Sequence, residues 1–565
     1  MLPMFIRVKS TPYSQKKSVQ ICESVRENGK VQQRVIRHVG MATDDVHLEE
    51  LKKLATIIKR QIIEEREGPF LVPIELLFPE KQQVPDEPQT SHSSIVPLAS
   101  RETQEELVNA IPVDLATLKE KNRIVEGFHD TFGKLFQELG FHQILPKTPT
   151  KVLRDVVLAR IASPSSKMRT QRILAADFGK DIPLDRIYRM MDALLEQKDR
   201  IQQRVYHATQ ELCFGKANIM LFDVTTLYFE SVEEDELRDF GFSKDQQFHT
   251  TQVVLALATT NEGLPIGYRL FPGNTAEVST LLPCLEEWKR LLHIGEVVFV
   301  ADRAMMCEKN LKALEEAGVT YIIAAKLKKL PLEAREKILN GPHQIGDEQA
   351  VQDFLLANGR RLVVSHSEKR ASKDRRDREQ GVERMRKKIG QGKNIKKLVP
   401  NYGYQKFLKV EGDGKLVVDE GKIDREAAWD GLHGVITNSH TTTSEELFAH
   451  YRRLWTIEES FRIQKHNLSL RPIYHFKPER VEAHVLLCYM AFCLMRHLEF
   501  RVKIQQEKIS MDEMRQELWR VQASILQDEQ TGKWYRLPAA ASYKAKKIYQ
   551  ALGVKRSVRA HEVKM

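Results

Sequence analysis

The order of strand-like and helix-like segments after Gly215 restricts the fold of this chain more than any other feature. Three β-branched and apolar runs, NIMLFDVTTLYF (218–229), TQVVLALATT (251–260) and LPIGYRLF (264–271), are joined by short links and read as consecutive antiparallel strands. The cap signal Asn274-Thr275-Ala276-Glu277 then opens a helix, after which EVVFVA (296–301), a helix near 308–317 and TYIIAA (320–325) complete the order βββαβαβ. That order demands an α/β architecture: a mixed sheet flanked by helices. A further strand, GVITN, lies at 434–438, and residues 327–433 interrupt the sheet with a basic stretch and the β-like pieces RRLVVSHS, YQKFLKVEG and GKLVVDEG.

The remaining segments are simpler. Residues 4–39 hold three short Val- and Ile-rich runs separated by polar turns at 13–17 and Asn28-Gly29, a small β unit, and an amphipathic helix follows at 47–67. The stretch 80–104, with Pro85, Pro88 and Thr-Ser-His-Ser-Ser, has linker composition. From 122 to 215 the segments VLRDVVLARIA and LDRIYRMMDALLEQ space apolar residues by three and four and read as helices, either packing elements or a domain that binds DNA ends. Helices resume after 438 and run to about Leu526. The expected division is 1–79 β unit plus helix, 80–121 linker, 122–215 helical region, and 216–326 first part of the sheet. There follow 327–433 basic β-rich insert, 434–526 second part with C-terminal helices, and 527–565 C-terminal extension.

Two aspartates occupy costly places. Asp223 lies inside the apolar strand FDVTTLYF, and Asp302 stands at the carboxyl end of EVVFVA. A carboxylate among apolar neighbours is expensive unless paired, hydrogen-bonded or bound to a cation. Taken singly, each is explained by a strand-end turn or a salt bridge. Jointly, on neighbouring strands of a sheet whose strand ends gather reacting groups, they suit shared divalent cations held through oxygen.

A third acid emerges from LFAHYRRLWTIEESFRIQKH read as one helix. Leu447, Tyr451, Leu454, Trp455, Glu458, Phe461 and Lys465 recur at three and four, which places Glu458 in an apolar stripe and Glu459 about 100° away. Tyr451, Glu458 and Lys465, seven residues apart, share a face at intervals of about 10 Å. The plainer reading of Glu458 is an ion pair with Arg462 at i+4. Trp455 is either a core tryptophan or a surface on which an extruded base stacks.

Composition narrows the function. The net charge of +11 is concentrated in 368–397, where 13 Lys/Arg face 5 Asp/Glu. Such a run binds phosphate backbones through counterion release, or is simply a solvated face. With 565 residues, 29% charged and 42% hydrophobic, the chain is a folded protein of roughly three or four domains. Its longest unbroken apolar run, 485–495, falls short of the roughly 20 residues of a membrane-spanning helix and reads as a core helix. The start MLPMFIRVKS has no secretory pattern, so a cytoplasmic setting with reduced cysteines is expected. No C-x2-C pair and no H-E-x-x-H occurs, which removes the common zinc frameworks and leaves oxygen ligands for any metal.

Taken together, FDVTTLYFE, GFSK (241–244), PIGYRLFPGNTAE, VFVADRAM, WDG (429–431) and YRRLWTIEESFRIQKH make the chain resemble the DDE transposases of bacterial insertion sequences. The likeness runs from about 122 to 500 and points to the branch with a long β-rich insert before the last acid and a Y-x2-R-x3-E-x6-K signature. The chain departs from that signature at Leu454, where arginine is expected. The resemblance implies a ribonuclease-H-like core with Asp223, Asp302 and Glu458 as catalytic, metal-holding acids. It also implies two Mg2+ ions, with Mn2+ as substitute, and double-stranded DNA, transposon ends and target, as partner. Tyr451, Lys465, Trp455, Arg462, Lys244 and Arg303 are the expected DNA contacts. A homodimer acting on two ends, no membrane, and a bacterial cytoplasm with nucleoid association complete the expectation. Two rivals stay open: a metal-dependent nuclease without strand transfer, and a non-catalytic DNA-binding descendant.

Overall fold

The computed structural model describes residues 4–11, 14–27, 30–42, 45–67, 113–213, 219–229, 233–241, 250–292, 297–341, 351–390, 407–411, 415–471, 473–505 and 507–564. The 80–104 stretch, the Asn28-Gly29 turn and Lys244 lie outside them. The chain divides into two compact units, one of 1–197 with 486–565 and one of 198–485.

The first unit opens with an antiparallel sheet of β1 (Met4–Thr11), β2 (Ser14–Glu27) and β3 (Lys30–Ala42) in the order β1-β2-β3. The helix Asp45–Glu67 lays Leu48, Leu51, Leu54, Ala55 and Ile58 on Val19, Ile21 and Val39 from the sheet, since its apolar residues recur at three and four. β4 (Leu118–Val125) follows, in a segment read as linker and helix. Its outward residues are charged, so LKEKNRIV carries no apolar alternation to reveal it. Helices Gly127–Glu138, Lys147–Ala162, Lys167–Phe178 and Leu184–Leu195 then bury Phe128, Phe132, Leu153, Val157, Leu174 and Ile187.

The second unit is built on an eight-stranded sheet. β5 (Ile219–Tyr228) pairs antiparallel with β6 (Gln252–Thr259), and β6 with β7 (Pro265–Pro272). β8 (Val298–Ala301) lies parallel to β5, and β9 (Thr320–Ala324) parallel to β8. The order β7-β6-β5-β8-β9 is that of a ribonuclease-H-like sheet, with all five strands where the sequence pattern placed them. Met220, Phe222 and Val224 of β5 join Phe299 and Ala301 of β8 in one buried cluster with Leu281, Leu285 and Trp288 of the helix Glu277–Leu292 and Leu311 and Leu314 of Glu308–Glu316. Gly267 is required there, since a Cβ on it would come within 2.7 Å of Trp288 Nε1.

The segment 327–433 extends this sheet. β10 (Val351–Leu355) and β11 (Arg361–His366) form a hairpin that reaches the core through β14 (Leu432–Thr437), giving β10-β11-β14-β9 at that edge. The described part of the basic run, 368–390, forms the helix Glu368–Gly390, its remainder to 397 lying outside the described residues, and antiparallel β12 (Leu408–Glu411) and β13 (Lys415–Val418) precede the helix Glu420–Ala427.

The chain returns to the first unit through the helix Pro478–Ile504. That helix is long and apolar enough to cross a membrane, yet 94% of its apolar window is buried inside the protein. After Met511–Arg520, the expected continuation of helix to Leu526 is replaced by β15 (Gln522–Asp528). With β16 (Trp534–Pro538), β17 (His561–Val563) and β4 it makes a four-stranded sheet, β17-β16-β15-β4. The pairing of β15 with β4 joins segments some 400 residues apart, which local periodicity cannot announce.

His497, fully buried in the long helix, gives this unit an acid limit. Burial, aided by Arg501, pushes its imidazole down to about 3 from 6.5. The unfolded chain therefore binds this proton first, so the stability contribution is whole above pH 6.5 and is lost as pH falls toward about 3. The difference in unfolding free energy between pH 7 and pH 4, from urea titrations, is expected to shrink in His497→Gln by a few kcal/mol. An unchanged difference would contradict the assignment.

Candidate active site

Asp223 and Asp302 come together through strand register. β5 and β8 run parallel with Phe222 opposite Ala301, so the next pair along the two strands is Asp223 beside Asp302, on strands about 4.8 Å apart. Phe222 and Ala301 face the buried cluster, and the alternation of side chains turns both aspartates to the opposite face. There the setting is more open than the sequence suggested. Asp223 is half-buried and Asp302 exposed, because β8 ends at Ala301 and the chain turns into Arg303–Met305. Asp223 Oδ1 accepts a hydrogen bond from Val224 N at 2.7 Å.

The helices Ser444–Arg452 and Trp455–Arg462 pack on this face, the first against β8, β9 and β14 and the second against β5 and β6. A capping box formed by Thr443 and Glu446 starts the first helix. Its last turn delivers Tyr451, whose hydroxyl donates to Asp302 Oδ1 at 3.3 Å. Burial, and then the negative charge of Asp302, raises the Tyr451 phenol, which stays protonated as a donor. The Tyr451 ring packs at a tilt against His433, with centroids 4.8 Å apart, and burial pushes that imidazole down to about 4. His433 is therefore neutral at pH 7. It escaped the sequence reading because a histidine at the start of HGVITN carries no distinguishing pattern.

The single helix expected over 447–466 is broken. Arg453 N bonds His450 O, Leu454 N bonds Tyr451 O and Ile457 N bonds Leu454 O, all i to i+3, so the backbone tightens through Arg453 and Leu454. A π-helical turn follows at Ile463–Asn467. Each change shifts the angular register, and Tyr451, Glu458 and Lys465 no longer share one line. The buried face of Trp455–Arg462 is Thr456, Ile457, Ser460 and Phe461, whereas Trp455, Glu458 and Arg462 are exposed. This corrects the placing of Glu458 in an interior stripe and removes the core reading of Trp455, which is 54% exposed. Leu454, where arginine was expected, is buried in the junction. Arg462 pairs with Glu459 at 3.5 Å, Lys465 is half-buried in the π-helical turn, and Arg303 is exposed beside Asp302.

The adjacent carboxylates suit a hard divalent cation, which takes oxygen ligands. Among the described residues, no three His, Cys, Asp or Glu side chains gather closely enough to hold a metal, so Glu458 does not complete the set in this conformation.

The chain matches the family described as Transposase DDE domain over residues 215–494, the stretch that carries both aspartates and Glu458. Residues 6–66 match the family described as IS1634 family transposase, N-terminal domain, which corresponds to β1–β3 and the helix after them. A search of curated proteins finds no match. Among solved structures, the chain is similar to the piggyBac transposase in a cryo-EM synaptic complex with hairpin DNA. The identity is 8% and the TM-score 0.37, over 70% of this chain and 77% of that one. The two family matches together span more than half of the sequence, with the DDE domain on the ribonuclease-H-like unit and the IS1634 domain on the N-terminal sheet: the chain belongs to the DDE transposases, of the IS1634 type.

Proposed function

We propose that this chain binds transposon-end DNA, cleaves it and transfers the resulting 3′-OH into target DNA, using Asp223, Asp302 and Glu458. The observation that carries the reading is the pair of aspartates brought side by side by the register of β5 and β8, Asp223 on β5 and Asp302 directly after β8, lying under a helix that presents Glu458. In the first step water attacks the scissile phosphorus and the bridging 3′-oxygen leaves as a free hydroxyl. In the second, that hydroxyl attacks a target phosphodiester and displaces its 3′-oxygen, so each bond formed replaces one broken. Bound at these carboxylates, two Mg2+ ions, or Mn2+ in their place, would activate the attacking oxygen and stabilise the leaving one. Tyr451 holds Asp302 by its hydroxyl, and the neutral His433 ring fixes Tyr451. Exposed Trp455, Arg462 and Arg303, with Lys465, offer stacking and phosphate contacts along the cleft. Two ends must be processed together, so the active assembly is a homodimer on DNA in a bacterial cytoplasm.

A duplex bearing the terminal sequence next to the gene, labelled at its 3′ end, tests the reading. Mg2+-dependent nicking and joined products are expected. Nicking without joining would leave a nuclease, and binding without nicking a passive DNA binder.

The helix Glu368–Gly390 is expected to bind flanking DNA. Arg375, Arg376 and Lys387 are exposed on it, Lys387 in a solvent-facing pair with Glu383, whereas Arg378 is ion-paired with Asp430 in a largely buried setting and belongs to the protein's own packing. Neutralising Arg375, Arg376 and Lys387 should weaken binding alike on all sequences and flatten the salt slope by up to about 0.9 for each phosphate no longer neutralised. An unchanged slope would make this helix a solvated face.

A further inference from the structure

The motif Trp429-Asp430-Gly431 takes no part in the carboxylate chemistry, yet two side chains of the basic helix, Asp374 and Arg378, are bonded to it and Ala371 packs closely against it. Gly431 has φ +77°. A Cβ there would fall 2.7 Å from His366 Nε2 and 2.8 Å from the Ala371 Cβ, so glycine alone permits the approach. Gly431 N donates to Asp374 Oδ2 at 3.1 Å, Ser367 N donates to Gly431 O at 3.0 Å, and Arg378 pairs with Asp430, both side chains largely buried. Residues 371, 374 and 378 lie on one helix face, which sets how the helix is turned.

This clamp determines what its first turn presents. The helix begins directly after β11, whose Ser365 is opposite His433 on β14. Arg370, in that first turn, is exposed, and its positive charge acts on both His433 and Tyr451. Among the described residues no carboxylate pairs with it. A cation in a helix's first turn opposes the dipole, so its position is not explained by helix stability. Two aspartates side by side also repel a phosphodiester, and a planar guanidinium can bind two phosphate oxygens at once.

We propose that Arg370 binds a backbone phosphate of the strand being cut, and that the Asp430-Gly431 turn is the device that holds it beside Asp302 and Tyr451. The inference rests on the DNA-cleaving reading above. It adds a binding residue from the inserted segment and a positioning role for a turn outside the cleft.

The test uses the full-length chain and an end-bearing duplex, with single-turnover cleavage in Mg2+ and salt-dependent binding in Ca2+. Arg370→Ala is expected to slow cleavage about 10- to 100-fold, the scale set by misplacing a bound substrate, and to reduce the salt slope by about 0.9, with an unchanged melting temperature. Arg370→Lys should restore the slope but only part of the rate, since an ammonium keeps the charge and loses the fork. Asp430→Asn should slow cleavage in the same direction. Combined with Arg370→Ala it should add little further loss, because the turn acts through that arginine. Gly431→Ala should do likewise if it folds, and Asp430→Asn decides the point if it does not.

Wild-type cleavage and slope in Arg370→Ala would overturn the inference while the wild-type chain's own cleavage upheld the reading beneath it. Fully additive losses would separate the turn from the arginine and overturn its positioning role. A wild-type chain that binds without cutting would sink the reading, and the Ca2+ salt slope of Arg370→Ala would still decide the inference. A chain that neither binds nor cuts would overturn both.

Discussion

Asp223→Asn and Asp302→Asn are each expected to reduce Mg2+-dependent cleavage at least on the order of 10²- to 10³-fold, the scale associated with removing one preorganised transition-state partner. Folding and end binding in Ca2+ should stay near wild type. Each change keeps the side-chain volume, so no cavity opens. Each also keeps an acceptor oxygen: the amide at 223 can still receive Val224 N, and that at 302 the Tyr451 hydroxyl. What disappears is one negative charge from a pair held side by side by the register of β5 and β8. Single-turnover assays on an end substrate, with melting curves and Ca2+ binding as controls, measure both sides of the claim. Near-wild-type rates in either variant would remove that aspartate from the chemistry. A slowed rate accompanied by failed folding would return it to structure.

What could be read from the sequence was what local pattern encodes. The strands β5, β6, β7, β8 and β9 are short apolar runs bounded by turn and cap signals, and each appears within two residues of its expected limits. Asp223 and Asp302 were visible as acids at strand positions, but their adjacency is a property of register, which depends on β5 and β8 pairing residues 79 positions apart in the chain. β4 and β15 were not visible, because a charged strand is stabilised by a distant partner rather than by its own alternation. The basic run gave its charge but not its fold: Ala371, Val382 and Met385 bury only a thin stripe of a helix that is otherwise polar. Helix breaks are harder still. Nothing in YRRLWTIEES contains proline or glycine, and the tightening at Arg453 and Leu454 comes from two helices packing on different strands of one sheet.

That break changes the reason for choosing between Glu458 and Glu459, and the choice has a large measurable consequence. On an unbroken helix Glu458 would be the buried acid; here it is exposed, alongside Trp455 and Arg462, on a helix packed over the strand of Asp223. Among the described residues no cation pairs with its carboxylate, so its charge is available to a ligand. Glu459 is half-buried and lies 3.5 Å from Arg462, which already offsets its charge. The proposed cleavage needs a site open to a duplex, so exposure suits an acid that serves it, and a carboxylate engaged by a neighbouring guanidinium is a poor metal ligand. Glu458→Gln is therefore expected to abolish Mg2+-dependent cleavage with stability unchanged. Glu459→Gln should cost at most about 0.5 kcal/mol of stability, the scale of a partly exposed helix pair, and leave cleavage near normal. Both variants would be compared in single-turnover cleavage of one end substrate. Loss of activity in Glu459→Gln with retention in Glu458→Gln would exchange their roles, and would mean that the helix Trp455–Arg462 turns its other edge to the aspartate pair when DNA is bound.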